Sequence, residues 1–369
     1  MIHRSTTATA LAFAVLTLAA CGGGSGGSGG TPPPPTQPSG PSATQYVNPV
    51  LNADFPDPGV VKASDGSYYA YATQTTGIHI QLSHSTDLVT WSTPGEALPV
   101  RPTWASQSQN FWAPDVALRE NNTYVMYFSA EVDPDKRPSP GDDFCVGMAT
   151  ATNPGGPFTD VGHPVVCGSG ATTIDPQGFD DPQTGKRYLF WGSDFAPIQV
   201  QELSATDRST FAAGTAPAPV VSPRAGQPYE NLVEGAWMTY HAPYYYLFYS
   251  GGNCCVQFGP VAYAVMVARA PSPTGPFEFL RTSANGPTTP VLAASASWIG
   301  PGHNAVVMAG GADWMLYHAI DVTHPTLPGG NVSRRALLLD KITYQANGWP
   351  VVGPAGMPTN TPQTRPTVP

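Results

Sequence analysis

Five short aromatic blocks recur along the chain, and they constrain its fold more than any other feature. They read YYAYAT from Tyr68, YVMYFS from Tyr124, YLFWGS from Tyr188, YYLFYS from Tyr245 and WMLYHA from Trp314. Each opens on Tyr or Trp, carries an aromatic ring at its fourth place (Tyr71, Tyr127, Trp191, Phe248, Tyr317) and closes on a small residue. Their starts lie 56, 64, 57 and 69 residues apart. Four follow turn-forming stretches, ASDGS, RENNT, DPQTGK and AGGA, of the kind that joins antiparallel strands. A further strand-like run follows every block, such as IHIQLSHS, FCVGMATA or RRALLLDK, and several reach another turn and short strand, as in PSPTGPFEFL. A period of this length holding about four strands predicts a propeller blade. The chain therefore reads as all-β, a single-domain five-bladed β-propeller over residues 46–358. A β-sandwich, the competing all-β architecture, shows no such long period.

Composition agrees. Charged residues make up 11%, while 42 Pro and 39 Gly suit short strands joined by turns. A net charge of −9 and the lack of any Lys/Arg cluster argue against nucleic acid and against an anionic membrane as partners of a basic face. Residues 1–20 read as a signal segment whose apolar run, Ala8 to Ala20, is too short to span a bilayer. The run ends in LAAC, which resembles a bacterial lipoprotein cleavage site and implies lipid on Cys21. Residues 21–45 are a Gly/Ser/Pro-rich tether, and residues 359–369 a Pro/Thr-rich tail. The expectation is an exported monomer, held at the bacterial cell envelope by its lipid anchor alone, on the periplasmic or surface side. Cys145, Cys167, Cys254 and Cys255 are expected to be structural, with a pairing that spacing does not give.

Upstream of each aromatic block, in a Gly/Pro-rich setting, stands one polar residue: Asp57 in DFPDPGVV, Asp115 in FWAPDVAL, Asp175 in TIDPQGF, Glu234 in VEGAWMTY and His303 in GPGHNAVV. Equivalent blades would bring these five to equivalent places on the innermost strands, at one mouth of the central channel. Carboxylates crowded in a partly dry site push one another's pKa values apart, leaving one protonated and another ionised. Glycoside hydrolysis needs that pair. Phe55, Trp112 and Trp237 adjoin the acidic positions and are candidates to stack on a sugar. The same oxygens would also suit calcium without catalysis. His84, His163, His318 and His324 have no partner in this pattern.

The motifs FPDPGVV, WAPDV, IDP followed by GKRYLFWGS, EGAW before YYYLFYS, and GPGHNAVV, in that order and spacing, resemble glycoside hydrolase family 43, the five-bladed inverting hydrolases of arabinan- and xylan-type polymers. The resemblance implies that Asp57 is the general base, Glu234 the general acid and Asp175 the carboxylate that tunes the acid. It implies that His303 sits beside a metal, often calcium in arabinan-acting relatives, although no cofactor is required for the chemistry. Arg335, next to Arg334, resembles a sugar-contacting arginine of the last blade. Ala236 stands where many relatives carry Pro. With only a short tail after the fifth blade, and with the CC and GPGHN motifs, the chain reads as a hydrolase of α-L-arabinofuranosyl linkages in plant cell-wall arabinan or its oligosaccharides. A β-xylosidase of the same family and a non-catalytic glycan-binding lipoprotein are the alternatives.

Overall fold

A computed structural model describes residues 42–368. The expected signal segment, Cys21 and most of the tether lie outside them. Five antiparallel sheets follow one another along the chain. Blade I comprises Gly59–Lys62, Tyr68–Ala72, Gln81–Ser85 and Gly95–Glu96. Blade II comprises Phe111–Leu118, Tyr124–Glu131 and Phe144–Ala151, with two short outer strands, Thr159–Asp160 and Val166–Gly168. Blade III runs Gln177–Asp180, Arg187–Trp191, Ile198–Glu202 and Ala218–Val221, and blade IV runs Val233–His241, Tyr244–Asn253, Ala262–Ala270 and Glu278–Phe279. Blade V holds Trp298–Ala309, Ala312–Asp321, Ala336–Tyr344 and Pro350–Val352. The five-bladed propeller is the observed architecture, and each aromatic block is the second strand of its blade.

The blocks are aromatic because both faces of a blade are covered. Successive side chains of a strand point to opposite faces. In blade I, Tyr68 and Ala70 join a cluster with Ala305, Leu316 and Leu337 of blade V. Tyr71 points the other way, among Val116, Met126 and Phe128 of blade II. The remaining neighbours are filled likewise: Tyr127 with Leu189, Phe190 with Leu247, and Phe248 with Tyr317. Five clusters thus cement five blade interfaces, each with large rings suited to wedge-shaped gaps.

The ring closes by a thread rather than by a shared blade. Gln45–Tyr46 pairs with Gln363–Thr364. The chain then bonds to the third strand of blade V, where Val50 N–H donates to Leu337 O and Leu339 N–H donates to Asn48 Oδ1. Phe55 N–H donates to Arg335 O immediately before blade I begins. The Pro/Thr-rich tail takes part in this closure: Arg365 N–H donates to Thr44 O and its guanidinium pairs with Asp87 at 3.0 Å. One disulfide, Cys145–Cys167, joins two residues in direct register in blade II. The other joins the adjacent Cys254 and Cys255.

Candidate active site

The mouth of the channel is built from one repeated backbone device. Asp57, Ala113, Asp175, Gly235 and His303 all have positive φ, between 45° and 60°. Four of these are not glycine, and such residues cost about 1–3 kcal/mol each, a strain that collects at functional sites. Each turns its N–H toward the preceding blade. Ala113 donates to Thr73 Oγ1 at 3.0 Å, Asp175 to Ser129 Oγ at 3.0 Å, and His303 to Ser250 Oγ at 2.7 Å. Asp57 donates across the closing seam to His318 Nδ1 at 3.0 Å. In blade III the register position of these hydroxyls falls on Gly192, whose N–H donates to Ile174 O. With no side chain there, the carboxylate of Asp175 itself accepts the N–H of Gly235, at 3.1 Å. The gap in the hydroxyl series is what brings Asp175 beside Glu234.

Two of the five expected ring positions therefore shift. Glu234 stands one residue before the ring position, which Gly235 occupies. A side chain there would be strained at φ +59°, and its Cβ would crowd the His303 ring at 3.2 Å. Asp115 stands two residues beyond the ring position, held by Ala113. A bulge between Trp112 and Asp115 carries it deeper, where its Oδ2 accepts from Gly178 N–H at 2.8 Å and braces blade II to blade III. Burial there raises its pKa to about 6. Trp237 lies at the same deeper level, opposite Phe248, packed against the clusters on both sides of blade V. Phe55, expected to face a sugar, is fully buried in the cluster between blades V and I. Trp112 remains half-buried at the mouth, stacked on Phe144 with centroids 4.6 Å apart.

Asp57, Asp175, Glu234 and His303 do converge. His303 Nδ1 lies 3.5 Å from Asp57 Oδ1 and 3.7 Å from Asp175 Oδ2. Asp57 is the most heavily supported carboxylate. Arg335 Nη1 donates to its Oδ1 at 2.8 Å and Thr73 to its Oδ2 at 2.6 Å. His318 Nδ1 also lies 3.3 Å from Oδ1. Of the two neighbouring arginines, Arg335 enters the site, while Arg334 reaches out to Asn52. Burial alone would raise the Asp57 pKa, but the Arg335 guanidinium beside it holds it well below the usual carboxylate range.

Glu234 is the opposite case. Its oxygens accept from Tyr263 at 2.6 Å and from Ser193 at 2.6 Å. Burial raises its pKa against these two bonds, and the charge of Asp57 raises it further. Asp175, buried between Glu234 and Asp57, is raised well above its ordinary value by desolvation and then by both neighbouring charges. With both of these raised and Asp57 lowered, Asp57 is the group that stays ionised. Burial keeps His303 and His318 neutral, lowering the latter to about 4.

Thr73, Ser193, Tyr263 and His318 were not singled out by the sequence. Tyr263 stacks parallel on His318, centroids 5.8 Å apart, and so links the group bonded to Glu234 with the group bonded to Asp57. Gly302 leaves room for this: a Cβ there would lie 2.1 Å from the Tyr263 ring.

The calcium expected near His303 has no protein-built cage. Among the described residues no three His, Cys, Asp or Glu form a metal cluster. Calcium takes six to eight oxygens. His303 offers a nitrogen, and the oxygens near it already accept from Arg335, Thr73 and Gly235.

Similar sequences and folds occur among known proteins. The family model described as glycosyl hydrolases family 43 matches residues 46–350. A probable arabinan endo-1,5-alpha-L-arabinosidase B of Aspergillus fumigatus is 27% identical over 331 residues, covering 76% of this chain and 85% of the relative. The arabinan endo-1,5-alpha-L-arabinosidase A of Aspergillus niger is 29% identical over 263 residues, covering 68% and 77%. The crystal structure of an exo-1,5-alpha-L-arabinanase from a bovine ruminal metagenomic library superposes with a TM-score of 0.65 at 26% identity, covering 83% of this chain and 99% of that one.

Proposed function

The chain belongs to glycosyl hydrolase family 43 and is a glycosidase, and from that premise we propose that it hydrolyses α-L-arabinofuranosyl linkages of arabinan or arabino-oligosaccharides with inversion. The supporting observation is the contrast at one channel mouth between a carboxylate held ionised, Asp57, and a pair held toward protonation, Glu234 with Asp175. Arabinosidases and an arabinanase among the similar proteins favour arabinan over xylan.

In this reading Asp57 takes a proton from water as that water attacks the anomeric carbon. Arg335, Thr73 and the backbone bond to His318 fix which lone pair of Asp57 faces the water. Glu234 delivers its proton to the departing glycosidic oxygen. Ser193 suits this step, because a hydroxyl accepts from a carboxylic acid and donates to a carboxylate. Asp175 keeps the Glu234 proton in place at working pH, and the half-buried Trp112 offers a face for a furanose ring. An inverting pair is expected to stand about 6.5–9.5 Å apart, leaving room for water. The LAAC motif supports lipid attachment at Cys21 and a place at the cell envelope.

The purified protein should release arabinose or short arabino-oligosaccharides from linear arabinan, with little action on xylan. NMR of the first-formed product should show the β-anomer. Retention of the α-anomer would overturn inversion, and activity on xylan alone would overturn the substrate.

A further inference from the structure

One loop at the mouth has no part in the chemistry above. Glu234 lies at the start of the inner strand of blade IV and pairs with Ser250 on the second strand. The third strand opens with Ala262 and Tyr263, and Tyr263 donates to Glu234. The connection between them, Cys254 to Val261, therefore joins the strand that pairs with Glu234 to the strand that carries its Tyr263 hydrogen-bond donor. It is firmly anchored. The side chain of Asn253 donates to Cys255 O and Pro260 O, closing the base of the loop. Val256 N–H donates to Ser333 Oγ, and Ser333 N–H donates to Gln257 Oε1. Ser333 stands two residues before Arg335, so the loop bridges from the Glu234 side of the site to the Asp57 side. The Cys254–Cys255 bond fuses its first turn into one ring, with Cys255 buried and Cys254 half-buried. A loop so fastened nevertheless turns one large apolar side chain outward: Phe258 is 76% exposed.

We propose that this loop is a rigid contact platform for the sugar units on the leaving side of the cleaved bond, with Phe258 and the sulfur of Cys254 meeting their apolar C–H faces. The assignment rests on the reading of Glu234 as the acid. The oxygen that receives its proton belongs to the next sugar unit, and the loop flanking Glu234 is the structure that unit meets first. A preorganised aromatic ring contributes contact area at little entropic cost.

Two measurements test this. The first compares kcat/KM of Phe258→Ala with the native protein on arabinohexaose and on para-nitrophenyl α-L-arabinofuranoside, whose leaving group carries no further sugar. The platform predicts a loss of about tenfold on the hexaose and little change on the aryl glycoside. Equal losses on both would instead make the loop a support for Glu234, and no loss on either would remove its role. The paired change Cys254→Ala with Cys255→Ala should follow Phe258→Ala, with the melting temperature checking that both variants fold. The second measurement titrates arabinohexaose into Glu234→Gln and into Glu234→Gln with Phe258→Ala. Weaker binding in the latter by about tenfold is expected, and equal affinity overturns the platform. If the native protein binds arabinohexaose but does not cleave it, the proposed function fails while this comparison still reads on the loop. If nothing binds, both fall.

Discussion

Asp57 and Glu234 are both carboxylates in one small space, and their neighbours alone separate their behaviour. Arg335 and two imidazoles surround Asp57, while two neutral hydroxyls and a second buried acid surround Glu234. The sign of the pH dependence follows. Asp57, the proposed base, has its pKa lowered and would be protonated only in strong acid. The Glu234–Asp175 pair, with its pKa raised, keeps its proton above the usual carboxylate range, and activity falls on the alkaline side as that proton leaves. Replacing Asp175 by Asn removes a neighbouring acid that shares this charge. The alkaline limb of kcat/KM should then move to lower pH, by about one unit. A limb that stays in place would show that Asp175 does not tune the acid. Asp57, Asp175 and Glu234 were legible in the sequence because each lies in a short Pro- or Gly-containing motif at a regular distance from an aromatic block. Ser193 and Tyr263 were not, since nothing local in their strands marks them as partners of a residue 41 or 29 positions away. Phe55 was misplaced because a ring beside a catalytic carboxylate can turn to the core as readily as to the substrate.

At the scale of the strand, the repeat was readable but its register was not. The third and fifth aromatic blocks are each offset by one residue against the others: Gln177 pairs with Phe190 and Gly302 with His318, where Asp115 pairs with Tyr127 and Trp112 with Ser129. That offset puts His318 where other blades place a hydroxyl, and it leaves Gly192 where a hydroxyl is missing. Both departures serve the site, one holding Asp57 and the other admitting Asp175 to Gly235. A one-residue shift exchanges the faces of a strand, and aromatic residues at neighbouring positions concealed it. A bulge after Trp112 added the shift that displaced Asp115, and bulges follow Glu234 and Gly302 at the corresponding places in blades IV and V. The strand-level disulfide has a simpler role. Cys145 and Cys167 close a loop of 22 residues in blade II. Changing both to Ser should lower unfolding free energy by about 3 kcal/mol in a denaturant titration, with kcat unchanged. A comparable loss of kcat would mean that blade II transmits strain to the mouth.

In the whole molecule, Asp57, the proposed base, lies on the closing seam. Asp57 belongs to the entry of blade I, while Arg335, His318 and His303 belong to blade V. The thread formed by residues 45–55 and the tail at 363–368 holds these blades together. Ending the chain after residue 358 should therefore lower the melting temperature and also reduce kcat, because the Asp57–Arg335 contact spans the joint that loosens. Reduced stability with kcat intact would show that the blade V to blade I packing alone fixes the base. The division of labour between Asp57 and Glu234 shows itself in how activity depends on the leaving group. Glu234→Ala and Asp57→Ala are each compared on linear arabinan and on para-nitrophenyl α-L-arabinofuranoside, whose leaving group needs little protonation. Both variants should lose at least about 100-fold on arabinan, and only Glu234→Ala should recover on the aryl glycoside. Equal recovery of both variants, or recovery of Asp57→Ala alone, would contradict that division of labour.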